Sequence, residues 1–223
     1  MTTSRVISAI VFGATFSVAT TTHAQQFSGP YVNAGIGFKS STMKFTLVDT
    51  DPADSSTTSG DFLGHSEFFG SVAAGWNWNP SGPFVLGVGI FADLGSTKAG
   101  DVDFTDSTGT TSSSIKQKNR YGIALEPGYE FNPRTVGYLK LTWNRSKYDF
   151  SSNDSTSGFP SVSLDFDGYG YGAGLKYLAT DNIFVFAEWM QVQYDDKSVT
   201  MGTITNTFKP RNTLGLIGVG WQF

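Results

Sequence analysis

Thr207-Phe208-Lys209-Pro210-Arg211-Asn212-Thr213-Leu214-Gly215-Leu216-Ile217-Gly218-Val219-Gly220-Trp221-Gln222-Phe223, the last seventeen residues, decide the fold. From Thr213 onward, Thr213, Ile217, Val219, Trp221 and Phe223 fall on one side, and Asn212, Gly218, Gly220 and Gln222 on the other. A strand has a side-chain period of two, so one face is apolar and aromatic while the opposite face is small or polar. A chain that ends on an aromatic residue of such a strand predicts the closing strand of a transmembrane barrel, with its tip at the membrane interface.

The same alternation runs through seven earlier segments: 31–39, 67–78, 84–94, 118–131, 136–146, 164–178 and 183–194. In the first, Val32, Ala34, Ile36 and Phe38 oppose Asn33, Gly35, Gly37 and Lys39; in the sixth, Tyr169, Tyr171, Ala173 and Leu175 oppose Gly168, Gly170, Gly172 and Gly174. Three connections are short and carry turn chemistry: Asn79-Pro80-Ser81-Gly82-Pro83, Asn132-Pro133-Arg134-Thr135 and Ala179-Thr180-Asp181-Asn182. The other four, about 40–66, 95–117, 147–163 and 195–207, are long and rich in Ser, Thr, Asp and Gly. Strict alternation of short and long connections predicts an all-β fold, an eight-stranded antiparallel up-and-down transmembrane β-barrel. Its short turns and both termini are expected on the periplasmic side, and its long loops outside. A soluble barrel also alternates, but it buries its apolar face. Here charge and glycine gather on one face and the other is almost free of charge, which suits lipid outside and polar groups inside.

Composition agrees. The 223 residues contain no Cys, 26 Gly, 19 Phe, 9 Tyr and 5 Trp, and the net charge of −4 offers no basic footprint for nucleic acid. A mean hydropathy of −0.14 argues against a helical membrane protein but not against a barrel, which needs only every second residue apolar. At the start, Arg5, an apolar run over 6–18 and the small-residue close Thr22-His23-Ala24 predict an export signal over residues 1–24, leaving a barrel domain over 25–223. The apolar run is too short for a spanning helix.

Several motifs resemble the opacity-protein-like outer-membrane β-barrel family. They are Gly29-Pro30-Tyr31-Val32, Ala74-Gly75-Trp76-Asn77, Gly128-Tyr129-Glu130-Phe131, Gly172-Ala173-Gly174-Leu175-Lys176-Tyr177, Ala187-Glu188-Trp189 and Gly218-Val219-Gly220-Trp221-Gln222-Phe223. Their order covers nearly the whole segment after the signal, with Trp189 where the family often has Tyr. The resemblance implies an eight-stranded barrel with antigenic or adhesive surface loops, and it carries over no ligand. The last strand, with Trp221 and Phe223, is then expected to be the assembly signal read by the barrel-insertion machinery.

An eight-stranded barrel has an interior just wide enough for side chains, so inward charges must meet one another. Counting up from the short turns places Lys39, Glu67, Asp93 and Arg120 in an outer tier, and Glu126, Lys140, Lys176 and Glu188 in a lower one. Each tier mixes two acids with two bases, as expected of a polar plug rather than a catalytic or conducting site. His65-Ser66-Glu67 is not read as a triad, because adjacent strand residues point to opposite faces. Asp49, Asp51 and Asp54 lack the glycine and terminal glutamate of a calcium loop. No cofactor or metal is expected.

Arg145, Lys147, Lys197, Lys209 and Arg211 lie near the outer strand ends, where two readings stand: partners for phosphates of outer-membrane lipid such as lipopolysaccharide, or ordinary interfacial charge. The loops hold few large apolar anchors, and Phe45, Phe104 and Phe159 are the candidate contacts to a host surface protein. The expected function is therefore that of a non-enzymatic outer-membrane surface protein, adhesive or structural. A narrow small-solute channel is the alternative.

Overall fold

The computed structural model describes residues 27–223 except 52–54, 81, 107–108, 153–161 and 202, so the expected export signal, residues 1–24, lies outside the described residues. The chain forms β1 (Gly29–Asp49), β2 (Ser56–Trp78), β3 (Phe84–Leu94), β4 (Ser96–Asp106), β5 (Gly109–Asn132), β6 (Thr135–Ser152), β7 (Val162–Leu178), β8 (Ile183–Tyr194), β9 (Lys197–Met201) and β10 (Ile204–Gln222). All described pairings are antiparallel. The ladders run β1–β2–β3–β5–β6–β7–β8–β10, and β10 returns to β1 in a ladder from Tyr31↔Gln222 to Asp49↔Ile204, so the sheet closes on itself. Two of the staves are broken. β4 continues β3 beyond Gly95, whose φ of +98° suits only glycine, and β9 continues β8. The ten strands thus make the eight-stranded closed barrel expected.

Closure satisfies backbone hydrogen bonds around the wall, which leaves the faces to the side chains. Outward, Trp76, Trp78, Tyr129, Phe131, Trp221 and Phe223 form a girdle at the short-turn end, and Phe38, Phe68, Tyr121, Trp143 and Tyr169 form a second further up. Ile36, Val88, Ile90, Ile123, Leu139 and Ile217 fill the band between them, all exposed. This outward apolar band between aromatic girdles is what a bilayer requires.

Inside, two apolar clusters cap the charged middle. Phe27, Tyr31, Val85, Val136, Tyr138, Leu178, Phe184 and Phe186 pack at the short-turn end, while Met43, Phe69, Tyr148, Phe166, Met190, Val192, Tyr194 and Leu214 pack above. The glycines make room for them. A Cβ at Gly220 or Gly218 would strike the Phe184 or Phe186 ring, and one at Gly174 would strike Tyr138.

Three of the four long connections are strand over most of their length, and the fourth is strand as far as it is described. β1 runs on to Asp49 and meets β2 from Ser56, Asp106↔Gly109 and Met201↔Ile204 bring two hairpins to narrow ends, and β6 and β7 stay paired up to Phe150↔Val162. The correction has a physical reason: Thr and Ser read as loop residues by composition, but β-branched Thr suits a pleated strand and its hydroxyl bonds across the ladder. Ser198 to Thr207 at 2.8 Å and Thr200 to Thr205 at 3.1 Å are two such links. Above the wall the ladders separate into two sheets, β2–β1–β10–β9 and β4–β5–β6–β7. No described pairing joins β2 to β4 or β7 to β9.

Candidate functional site

The interior charges come from neighbouring staves whose polar faces converge on a narrow axis. In the lower tier, Lys140 on β6 donates to both carboxylate oxygens of Glu188 on β8, at 2.8 and 2.9 Å. Its ammonium also lies 3.1 Å from Glu126 Oε1 on β5. Lys176 on β7 donates to Glu126 Oε2 at 2.6 Å. Two tyrosines complete the tier: Tyr138 donates to Glu188 at 2.6 Å and Tyr31 to Glu126 at 3.4 Å. The Lys176 ammonium sits over both of those rings, 4.7 Å from Tyr31 and 4.6 Å from Tyr138.

The outer tier is built on a bidentate pair. Arg120 Nε and Nη2 donate to Asp93 Oδ2 and Oδ1 at 2.8 and 3.1 Å, and its guanidinium lies over the Phe91 ring. Lys39 is buried beside the Phe69 ring, and Glu67 stands opposite it in the β1–β2 register. Above this tier Gln117 donates to Ser146 and Tyr194 and accepts from Asn212. What remains open inside, among the described residues, includes a cavity of about 20 Å³ between the tiers, bounded by Arg120, Lys140, Glu188, Asn33 and Ser71. That is room for about one water molecule. The larger concavities lie on the exterior, between the exposed aromatic ridges. The arrangement is chemically a plug: each carboxylate of the lower tier is met by an ammonium and a phenol.

The eight interior charges named from sequence therefore sit on the inner face, and Asp93 with Arg120, and Glu126 and Glu188 with Lys140 and Lys176, make direct ion pairs. Trp221 and Phe223 project outward in the short-turn girdle. Phe45 and Phe104 are placed by backbone alone, on β1 and β4, and Phe159 lies outside the described residues. The outer basic residues do not form one patch. Lys209 pairs with Asp196 at 2.5 Å on one side, and Arg145 and Lys147 lie on β6 beside β5 and β7. Asp149, above the upper girdle, is held below the usual carboxylate range by hydrogen bonds from Lys118 and Ser163.

Sequence reasoning gave Tyr31 and Tyr138 no part in the charge network, though their parity with Asn33 and Lys140 signals the inner face. It also gave Gln222 no role. Gln222 accepts from Asn77 at 2.8 Å and donates to the carbonyls of Pro30 and Ser28, so it ties the last strand to the first two.

The family model described as outer membrane protein beta-barrel domain matches residues 8–223. Protease 7 of Escherichia coli O157:H7 is 34% identical over 107 residues, covering 42% of this chain and 33% of that protein, so the match spans about a third of the protease's length. Among solved structures, the outer membrane protein OprG of Pseudomonas aeruginosa matches with a TM-score of 0.58 at 15% identity, over 88% of this chain and 96% of that one. The outer membrane protease OmpT of Escherichia coli matches with a TM-score of 0.50 at 9% identity, over 91% and 99%. At such identities the likeness is one of fold.

Proposed function

We propose, from the premise that this chain belongs to the outer membrane protein β-barrel domain family and resides in the bacterial outer membrane, that it is a non-enzymatic surface protein whose paired outer hairpins meet a partner. The observation that carries this reading is the contrast between a filled interior and an extended exterior. The wall is occupied by lipid on one side and ion pairs on the other. Beyond the upper girdle, β1, β2, β4 and β5 each run on for roughly ten residues, about 30 Å of strand. In this reading both termini are periplasmic and Phe45, Phe104 and Phe159 anchor a host surface protein. The likeness to Protease 7 covers a third of that enzyme and transfers no residue's role to this chain.

The test is binding of the purified barrel to a panel of host-surface proteins, beside a barrel whose four hairpins are cut back to the upper girdle. Trimming, and the combined change Phe45→Ser, Phe104→Ser and Phe159→Ser, should each abolish binding while heat-resistant gel mobility stays unchanged. Binding that survives both would replace the adhesive reading with a purely structural one. The narrow channel is the second reading, and the cavity of about 20 Å³ speaks against it. Planar-bilayer recordings should show no stable open state, and reproducible sugar flux through the pure protein would reinstate the channel.

Assembly offers a separate expectation. With Trp221 and Phe223 outward and Gln222 locking the seam, the last strand presents the face that insertion machinery is proposed to read. Deleting Phe223 should leave most of the exported chain unfolded in the periplasm. Outer-membrane levels equal to the full chain would sink that role.

A further inference from the structure

We infer that Lys118, Arg145 and Lys147 form a binding site, on the outer wall above the upper girdle, for the phosphate of a phosphorylated lipid of the outer leaflet. The proposal rests on the orientation proposed above, with the hairpins outside.

Three observations carry it, beginning with a bulge. Parity on β5 puts Arg120 inside and would put Lys118 inside with it. Instead the β5–β6 register shifts between Lys118 and Arg120, and Asn119 takes a φ of +43°. Positive φ is uncommon outside glycine, and bulges of this kind re-aim side chains. The shift turns Gln117 inward and sends Lys118 outward, where it is exposed. Satisfying Gln117 is one consequence of the bulge, and the second lies on the outer face.

That second consequence is a like-charge pair. Lys118 now stands directly opposite Lys147, and Arg145 lies one outward position below Lys147, opposite Tyr121. Directly opposed residues have Cβ atoms about 5 Å apart, and like charges there are destabilising. A phosphate between them reverses the sign of that interaction and matches a guanidinium's planar fork.

Each of the three cations has one acid beside it and keeps part of its side chain exposed. Lys118 meets Asp149 at 2.5 Å, but about half of its side chain is exposed. Asp165 faces Lys147 across the β6–β7 ladder, and Lys147 is itself exposed. Arg145 Nε lies 3.3 Å from Asp167 Oδ1, yet neither atom completes a hydrogen bond. Directly beneath are Tyr121, Trp143 and Tyr169, exposed girdle residues that place the cations at headgroup depth. Facing outward from the wall at that depth, they would meet a lipid headgroup rather than a soluble ion.

The test is native mass spectrometry of lipid adducts on the full protein from outer membranes, delipidated in detergent. The probes are bisphosphorylated lipid A, the same lipid with both phosphates removed, and inorganic phosphate. The unsubstituted chain should hold bisphosphorylated lipid A at least tenfold more tightly than the dephosphorylated form. The combined variant Lys118→Gln, Arg145→Gln and Lys147→Gln should lose that preference with its heat-resistant gel mobility intact. Lys197→Gln with Lys209→Gln, elsewhere on the wall, should keep it. Equal binding of the two lipids, no loss in the triple variant, or an equal loss in the control pair overturns the site. Displacement of the lipid by excess inorganic phosphate overturns its assignment to a lipid. Labelling of intact cells at a cysteine introduced at position 108 reports orientation separately, so failure there is distinguishable from failure of the site.

Discussion

Replacing Lys140 by Met should lower the stability of the folded barrel by about 3–5 kcal/mol, read as a fall in the urea midpoint of refolded protein in detergent micelles. The side chains are of similar length, so the loss is electrical rather than steric. Lys140 bridges the two acids of the lower tier, holding Glu188 through two hydrogen bonds and Glu126 at 3.1 Å. Without it Glu126 retains Lys176, but Glu188 is left with the single phenol of Tyr138. A buried carboxylate with one neutral donor is poorly compensated. Adding Glu188→Gln to the Lys140→Met chain should recover part of the loss, since it removes the orphaned charge. An unchanged midpoint in the single variant would mean that Glu188 reaches water and that the interior is not packed.

The second large effect is expected at Gly122. Replacement by Val should cost about 3 kcal/mol or more and slow folding into micelles, whereas Gly215→Ala should stay within about 0.5 kcal/mol of the unsubstituted chain. Both glycines lie in strand interiors, so lost backbone freedom alone does not separate them. Their surroundings do. A Cβ at Gly122 would collide with the carbonyl oxygen of Trp143 on the facing strand and press on the Phe91 ring at 3.0 Å, whereas a Cβ at Gly215 meets nothing within 4 Å. The Trp143 carbonyl belongs to the β5–β6 ladder and cannot swing aside as a side chain would. Phe91 in turn carries the Arg120 guanidinium. Equal stability of the two variants, by urea midpoint, would show that the wall flexes enough to absorb a branched side chain.

Much of this molecule was legible before any coordinates. The eight staves and the alternation of faces follow from period-two patterning and from the lengths of connections, and the resemblance to opacity-like outer-membrane barrels rests on the order of the glycine-aromatic motifs. The pairing of inner charges was legible only as a tendency. Counting up from the turns sorts eight groups into two tiers, but it does not say that Lys140 takes two carboxylates while Arg120 takes one in a bidentate grip. Those choices depend on the stagger of neighbouring strands around a closed wall. The outer hairpins were misread because Ser and Thr score as loop residues when counted singly, and their strand character appears only when a partner strand accepts their hydrogen bonds.

By itself the sequence determined which face each residue of an unbroken strand takes, because the pleat admits no other arrangement and one slipped residue would turn a lipid-facing aromatic into the core. That is why Trp76, Ile90, Leu139 and Val219 face out, and why Asp93, Glu126 and Glu188 face in. Only the tertiary structure decided where the pleat is interrupted. The one-residue bulge at Asn119 reverses the parity of what precedes it on β5, so Lys118, inward by simple alternation, stands outside against Lys147 while Gln117 closes the upper interior. A bulge costs one unpaired residue and is settled by what the side chains on both faces gain, and those partners lie on β6, β8 and β10, far away in sequence.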